Sequence, residues 1–198
     1  MRFRDDVIIE KYMTELINKI KSNKKLFDLF QQVVCDTDLM MHSIQVAKLG
    51  CAVAIEYNLN DEQIKNIAFG GFFHDVGKLE IPKDILYRKG KLNEREYKLV
   101  QEHPIAGVNL LKKIYRLDRE VEKIIKYHHE RPDGTGYLGV SELSLPVQII
   151  HVADIFAAIT ENRSYHQALC VKDTVNKIQQ FPDVDNNILD ILKEIVFD

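Results

Sequence analysis

Seven histidines are spread along the 198 residues, and one of them stands beside an aspartate at the end of an apolar run, Phe72-Phe73-His74-Asp75-Val76-Gly77-Lys78. A neutral imidazole and a carboxylate are both good ligands for first-row divalent ions. A carboxylate has two oxygens, so Asp75 can bridge two ions while His74 holds one. The competing reading is structural: His74 caps the preceding helix and Asp75 begins a turn. One pair does not decide between them. His42, His103, the adjacent His128 and His129, and Asp154 shift the balance, because each lies in or beside a strongly apolar segment.

Asp154 is the sharpest of these hints. Pro146 opens a helix predicted over Val147 to Thr160 that carries Ile149, Ile150, Val152, Ile155, Phe156 and Ile159, and Asp154 falls in its middle. A carboxylate among such residues is costly unless it is paired or bound to a metal. His151, one turn earlier, is its candidate partner; His166 is read as a surface residue. His42 sits near the start of another buried helix, where both a hydrogen-bonded core role and a ligand role fit. Asp38, four residues before it, is either the N-cap or a neighbour on the same face.

Adjacent histidines on a regular helix diverge by roughly 100 degrees. His128 and His129 therefore converge on one ion only if the helix ends there, and Glu130-Arg131-Pro132-Asp133-Gly134-Thr135-Gly136-Tyr137 supplies a break. His103 precedes Pro104 at a predicted helix break, which exposes a side chain to a cleft. Lys78 follows His74 by four residues and shares its side if the helical turn persists through Gly77.

The elements that must position these residues read as helices throughout. Val7, Ile8, Tyr12, Leu16, Ile17 and Ile20 fall near a 3.6-residue period over residues 6 to 21, and Leu26, Phe27, Phe30, Val33 and Val34 repeat it over Lys24 to Val34. Residues 1–36 carry no candidate chemistry and are expected to pack on the core or to pair two copies as a homodimer. Leu39 to Tyr57 is apolar nearly all round, as a central buried helix is. Asn60 to Gln63 and Asn93 to Glu96 read as capping boxes. Ile105 to Ile114 and a segment capped by Asp118 are further short helices, and Leu79 to Leu92 reads as a charged loop.

Composition limits the classes. At 45% hydrophobic and 29% charged, the chain is an ordinary globular one with a single domain as the default. A net charge of -3 offers no basic field for long nucleic acid. Cys35, Cys51 and Cys170 are odd in number and without Cys-x-x-Cys spacing, and are read as reduced core fillers in a cytoplasmic setting. No apolar run long enough for a signal peptide or a membrane span occurs, so no membrane insertion is expected.

Together the residues carry a resemblance. The order His42, His74-Asp75 with Gly77-Lys78, then Asp154 resembles the HD phosphohydrolase superfamily. His103-Pro104, His128-His129-Glu130, Asp133-Gly134-Thr135-Gly136-Tyr137, Ile81-Pro82 and Arg163-Ser164-Tyr165 resemble its HD-GYP branch, the cyclic dinucleotide phosphodiesterases. The resemblance implies an all-α fold, an HD-domain helical bundle with a buried di-metal site, over residues 37–198. It implies two divalent ions, usually iron or manganese, the first held by His42, His74, Asp75 and Asp154 and the second by Asp75, His103, His128 and His129. Asp38 stands where some members use a glutamate for a third ion.

Asp75 and Lys78 would be catalytic, and Lys78, Tyr137 and Arg163 would contact the substrate. The implied activity is hydrolysis of cyclic di-GMP, or a related cyclic dinucleotide, to the linear dinucleotide or GMP. A cyclic dinucleotide receptor with weak turnover and a mononucleotide phosphohydrolase are the alternatives. Two departures stand out: Leu138 replaces a signature proline, and His166 follows Tyr165 where relatives commonly carry a basic residue. No receiver or sensory domain is expected beside the catalytic core.

Overall fold

Local signals set most helix boundaries. In the computed structural model, which describes residues 2–161, 169–181 and 184–197, the chain runs α1 (Asp6–Lys21), α2 (Lys24–Val34), α3 (Thr37–Glu56), α4 (Asp61–Phe73), a 3-10 turn (Val76–Glu80), α5 (Lys83–Leu86), α6 (Glu94–Gln101), α7 (His103–Lys112), α8 (Arg119–Tyr127), α9 (Leu145–Thr160), α10 (Val171–Ile178) and α11 (Asn186–Ile195). Both predicted capping boxes form, at Asn60 with Gln63 and at Asn93 with Glu96. Among the described residues the fold is all-α apart from one antiparallel pair of two-residue strands, β1 (Arg2–Phe3) and β2 (Val196–Phe197), which ties the described ends together.

α3 occupies the centre and packs chiefly against α4 and α9. Val46, Ala47, Leu49, Cys51, Val53 and Ala54 are fully buried. A Cβ on Gly71 would stand 3.1 Å from the Ala47 Cα, so glycine lets α4 ride directly on α3 and carries His74, at its C-terminal end, towards His42. Gly77 is tighter still: a Cβ there would lie 2.0 Å from the His103 carbonyl oxygen. Only a residue without a side chain allows the 3-10 turn to touch the start of α7, and that contact brings Asp75 and His103 together.

Several expectations need correcting. The buried face of α1 is Ile9, Tyr12, Met13, Leu16 and Ile20, while Val7, Ile8 and Ile17 point outward; the expected set mixed two faces, and contact with α3 and α4 selects one. On α2 the buried residues are Leu26, Leu29 and Val33, with Val34 exposed. Both inner faces belong to the common core. The N-cap of α3 is Asp36, whose side chain accepts the Leu39 N–H at 3.1 Å, and Asp38 lies inside the first turn.

The charged stretch after Leu79 is not all loop, since the 3-10 turn and α5 occupy part of it. His103 begins α7 with only Glu102 separating it from α6, because Pro104 falls in a first turn where its missing N–H has no role. Of the cysteines only Cys51 is buried; Cys35 and Cys170 are exposed. Among the described residues no helix is long and apolar enough to cross a membrane.

Candidate metal centre

Three of the histidines sit at helix ends, and this sets their tautomers. A helix leaves its last carbonyls without intrahelical partners. His74 Nδ1 donates to the Gly71 carbonyl at 2.7 Å, His103 Nδ1 to Val100 at 2.7 Å and His128 Nδ1 to Ile125 at 2.9 Å, in each case to a carbonyl three residues earlier. A carbonyl can only accept, so the proton lies on Nδ1 and the Nε2 lone pair of each ring is left for the interior. This is the arrangement a metal-ligating imidazole requires.

The Nε2 atoms converge on Asp75, which is buried at the start of the 3-10 turn. Its Oδ1 lies 3.1 Å from His103 Nε2 and 3.8 Å from His128 Nε2, while its Oδ2 lies 3.3 Å from His74 Nε2 and 3.8 Å from His42 Nε2. The two oxygens therefore face two different nests. Asp154 closes the second nest, with Oδ1 2.9 Å from His42 Nε2 and 3.8 Å from His74 Nε2, and Oδ2 4.0 Å from His129 Nδ1. Donors about 2 Å from one ion stand roughly 3 to 4 Å apart, so these spacings suit divalent cations.

Asp75, His103, His128 and His129 form one ligand-like group, His42, His74 and Asp75 a second, and His74, His128 and Asp154 a third. The His74 Nε2 and Asp75 Oδ1 atoms are buried without a hydrogen-bond partner among the described residues, despite the short distances around them. Leaving a buried polar atom unsatisfied costs about 1–3 kcal/mol. A cation between the two nests would satisfy both atoms, so the residues present fit a metal pair.

The electrostatics agree with this use. Burial favours the neutral acid at Asp75, but the charge of Lys78 and the neighbouring His74 and His103 outweigh it and hold the carboxyl well below its usual range. Asp154 is likewise held low against its burial, by His42 first. Burial, then the neighbouring rings, keeps His128 well below its usual value, and burial takes His129 down to about 3. Two ionised carboxylates thus stand beside His128 and His129, whose rings stay neutral near pH 7. His42 differs: burial lowers it, yet hydrogen bonds to Asp154 and Glu161 lift it to about 9. His42 would hold a cation only through a deprotonated Nε2, so metal binding there would release that proton.

The centre opens on two sides. One opening, about 110 Å³, is lined by Asp38, His42, Asp75, Lys78 and Tyr87, and Lys78 pairs there with Asp75 Oδ2. Lys78 reaches this position through the 3-10 turn rather than through a continued helix. Asp38 lines the same opening but belongs to no ligand-like group. The other opening is a cavity of about 450 Å³ that includes His129, Tyr137, His151 and Asp154. A larger groove of about 580 Å³ near Lys19, Phe69 and Tyr115 contains no such cluster, so chemistry assigns the site to the smaller spaces.

Tyr137 reaches the cavity on a loop wrapped around a buried carboxylate. Glu130 accepts the backbone N–H of Leu138 and of Val140, each at 2.7 Å, and a Cβ on Gly136 would stand 2.5 Å from the Glu130 Cα. A proline at position 138 has no N–H to donate, so Leu138 adds an anchor that the signature residue of the resemblance lacks. The Tyr137 ring packs on His129 with centroids 4.6 Å apart, and burial, then the neighbouring Tyr97, pushes its hydroxyl up.

His42, His74, Asp75, His103, His128, His129 and Asp154 are thus brought together, with Lys78 and Tyr137 at opposite openings. Arg163 and His166 lie outside the described residues. His151 is not the hydrogen-bond partner of Asp154 that its spacing suggested. Its Nδ1 donates to the His128 carbonyl at 2.8 Å, pinning the end of α8 to α9, and His42 takes the Asp154 role.

Sequence reading missed Glu161. Its carboxylate accepts from His42 Nδ1 at 3.1 Å, completing a carboxylate–histidine pair of the kind that orients metal ligands. The available signal was its position seven residues, about two turns, after Asp154. Glu161→Ala is expected to weaken the ion on the His42 side by about 10- to 100-fold and leave the ion on the His103 side in place; Glu161→Gln, which still offers an oxygen, loses less. Metal titration of both variants checks this, and an equal loss of the two ions would count against it.

The profile of a family described as HD domain matches residues 16–187. A cyclic di-GMP phosphodiesterase of Pseudomonas aeruginosa is 29% identical over 191 residues, covering 90% of this chain and 46% of that protein. The 3'3'-cGAMP-specific phosphodiesterase 1 of Vibrio cholerae is 34% identical over 157 residues, covering 76% of this chain and 36% of that protein. The chain therefore spans less than half the length of these relatives. Among solved structures, Bd1817 of Bdellovibrio bacteriovorus, an HDG"Y"P protein, superposes with a TM-score of 0.67 at 19% identity over 94% of this chain and 63% of that one. The HD domain of the phosphodiesterase PgpH of L. monocytogenes in complex with cyclic-di-AMP gives 0.61 at 18% identity, over 84% and 92%.

Proposed function

The chain belongs to the HD domain family, and on that premise we propose that it is a metal-dependent phosphodiesterase of the HD-GYP branch that hydrolyses cyclic di-GMP, or a related cyclic dinucleotide, to the linear dinucleotide or GMP. The observation that carries the reading is Asp75, whose two oxygens face separate histidine nests 3.1 and 3.3 Å away. His42, His74, Asp75 and Asp154 would hold one ion and Asp75, His103, His128 and His129 the other. Bound divalent ions supply Lewis acidity, lowering the pKa of water and neutralising charge on a phosphate. The donors are imidazoles and carboxylates without a thiolate, which favours iron or manganese over softer ions.

The chain's own groups do the rest. The Nδ1 bonds to backbone carbonyls hold the His74, His103 and His128 rings in their ligating tautomer, and the Glu161 carboxylate orients His42 from its own Nδ1 side. Lys78 offers an ammonium at the smaller opening for a phosphate oxygen, and the Glu130-anchored loop presents Tyr137 to the substrate in the larger one. Asp38 stands near enough to the smaller opening to take part in a third ion.

The proposal extends to a cytoplasmic setting, supported by free cysteines, and to a homodimer through the N-terminal helices, supported by the outward Val7, Ile8 and Ile17. One preparation tests these readings. Protein purified anaerobically with iron and manganese supplied is expected to hold at least two ions per chain, to release linear dinucleotide or GMP from cyclic di-GMP, and to scatter light as a dimer. A chain that stays metal-free overturns the metal reading. Tight binding of cyclic di-GMP without product turns the enzyme into a receptor, and a monomer removes the dimer.

A further inference from the structure

The 450 Å³ cavity joins residues of the metal centre to residues of the C-terminal segments. His129 and Asp154 line it together with Ile155, Ala158 and Ile159 of α9, Lys177 of α10 and Phe181 just after that helix. Its volume lies within the range of small-molecule sites. Asp154 is the one carboxylate on its described wall, and it already serves His42 and the metal centre. The remaining fixed charges on that wall, Arg131 and Lys177, are both positive and both at the rim. Lys177 forms no ion pair among the described residues.

We propose that Lys177, with Arg131 beside the same cavity, forms an anion subsite for the second phosphate of a cyclic dinucleotide, the one that is not being cleaved. The inference rests on the phosphodiesterase reading and deepens it. Such a substrate closes its ring through two phosphodiesters, so seating one at the metal centre obliges the other to lie across the ring, away from Asp75. The apolar strip of α9 spans that interval, and Phe181, Tyr97 and Tyr137 offer aromatic surfaces to the bases between. A substrate with one phosphate gains nothing from a cation at the far end. Lys177 is thus a residue of specificity, not of chemistry.

Lys177→Gln and Lys177→Glu separate these roles, and the exposure of Lys177 leaves melting temperature unchanged in both. With cyclic di-GMP, KM is expected to rise on the order of fivefold for Lys177→Gln and further for Lys177→Glu, with kcat nearly constant and the effect shrinking as salt is raised. With bis(p-nitrophenyl) phosphate, which carries a single phosphodiester, neither constant should move. Equal changes on the two substrates, or an unchanged KM for cyclic di-GMP, overturn the subsite. If the parent makes no product, the phosphodiesterase reading fails on that observation alone. The subsite is then read from the calorimetric Kd for cyclic di-GMP, which must weaken in both variants; an unchanged Kd, or a parent that does not bind, overturns it.

Discussion

Asp75→Ala is expected to strip both ions from the protein and reduce turnover to background, whereas His103→Ala should mainly weaken the ion on its own side. The asymmetry follows from geometry. Asp75 Oδ1 faces His103 and His128, and Oδ2 faces His74 and His42, so one side chain is shared where every imidazole belongs chiefly to one nest. Losing a group that merely orients a ligand costs about 10- to 100-fold in affinity, and losing a ligand common to two sites exceeds that at each.

Asp75 also faces four buried rings and Lys78, so its removal leaves the Lys78 ammonium and the ring nitrogens without that partner inside the protein. Elemental analysis of the two variants, with Asp75→Asn as a variant that keeps the side-chain shape, measures the outcome. Equal metal loss from Asp75→Ala and His103→Ala would contradict the bridging role.

Lys78→Ala should leave the metal content and melting temperature of the metal-loaded protein nearly unchanged while turnover of cyclic di-GMP falls by about one to three orders of magnitude. That is the range for removing one electrostatic stabiliser of a transition state. Lys78 pairs with Asp75 Oδ2 and is about a quarter exposed, with its side chain 24% accessible against 2% for Asp75. With cations bound beside Asp75, the pull of its carboxylate on the Lys78 ammonium would weaken, leaving the ammonium available to a phosphate oxygen at the smaller opening. Binding should weaken less than catalysis, because the contact strengthens as charge develops on phosphorus. A receptor without turnover behaves otherwise, losing only affinity. A Lys78→Ala protein with full turnover, or one that has lost its ions, would remove Lys78 from the chemistry.

Much of the architecture was legible in the order of residues, because it rests on interactions between near neighbours. The capping boxes at Asn60 and Asn93 and the Asp118 cap form as their spacing requires, since a cap reaches only three residues along the chain. Asp154 announced itself for the same reason: a carboxylate in the middle of an apolar helix needs a partner wherever that partner comes from. The identity of the partner was not legible. His42 lies 112 residues away, and His151, the neighbour by spacing, turns to a backbone carbonyl instead.

The choice of Asp36 over Asp38 as the cap of α3, the outward turn of Val7 and Ile8, and the contribution of Glu161 likewise waited on packing. Each depends on which of several locally equal faces meets α3, α4 or α9. Gly77 gives the clearest case. In the sequence it is an interruption of a helical pattern; in the folded chain it is the one residue small enough to let the 3-10 turn touch the start of α7. The residue types in this sequence determined that it holds a set of helices and a set of metal-competent side chains. Only the tertiary structure decided that one carboxylate stands between two nests, because that relation is a distance between elements that no local rule contains.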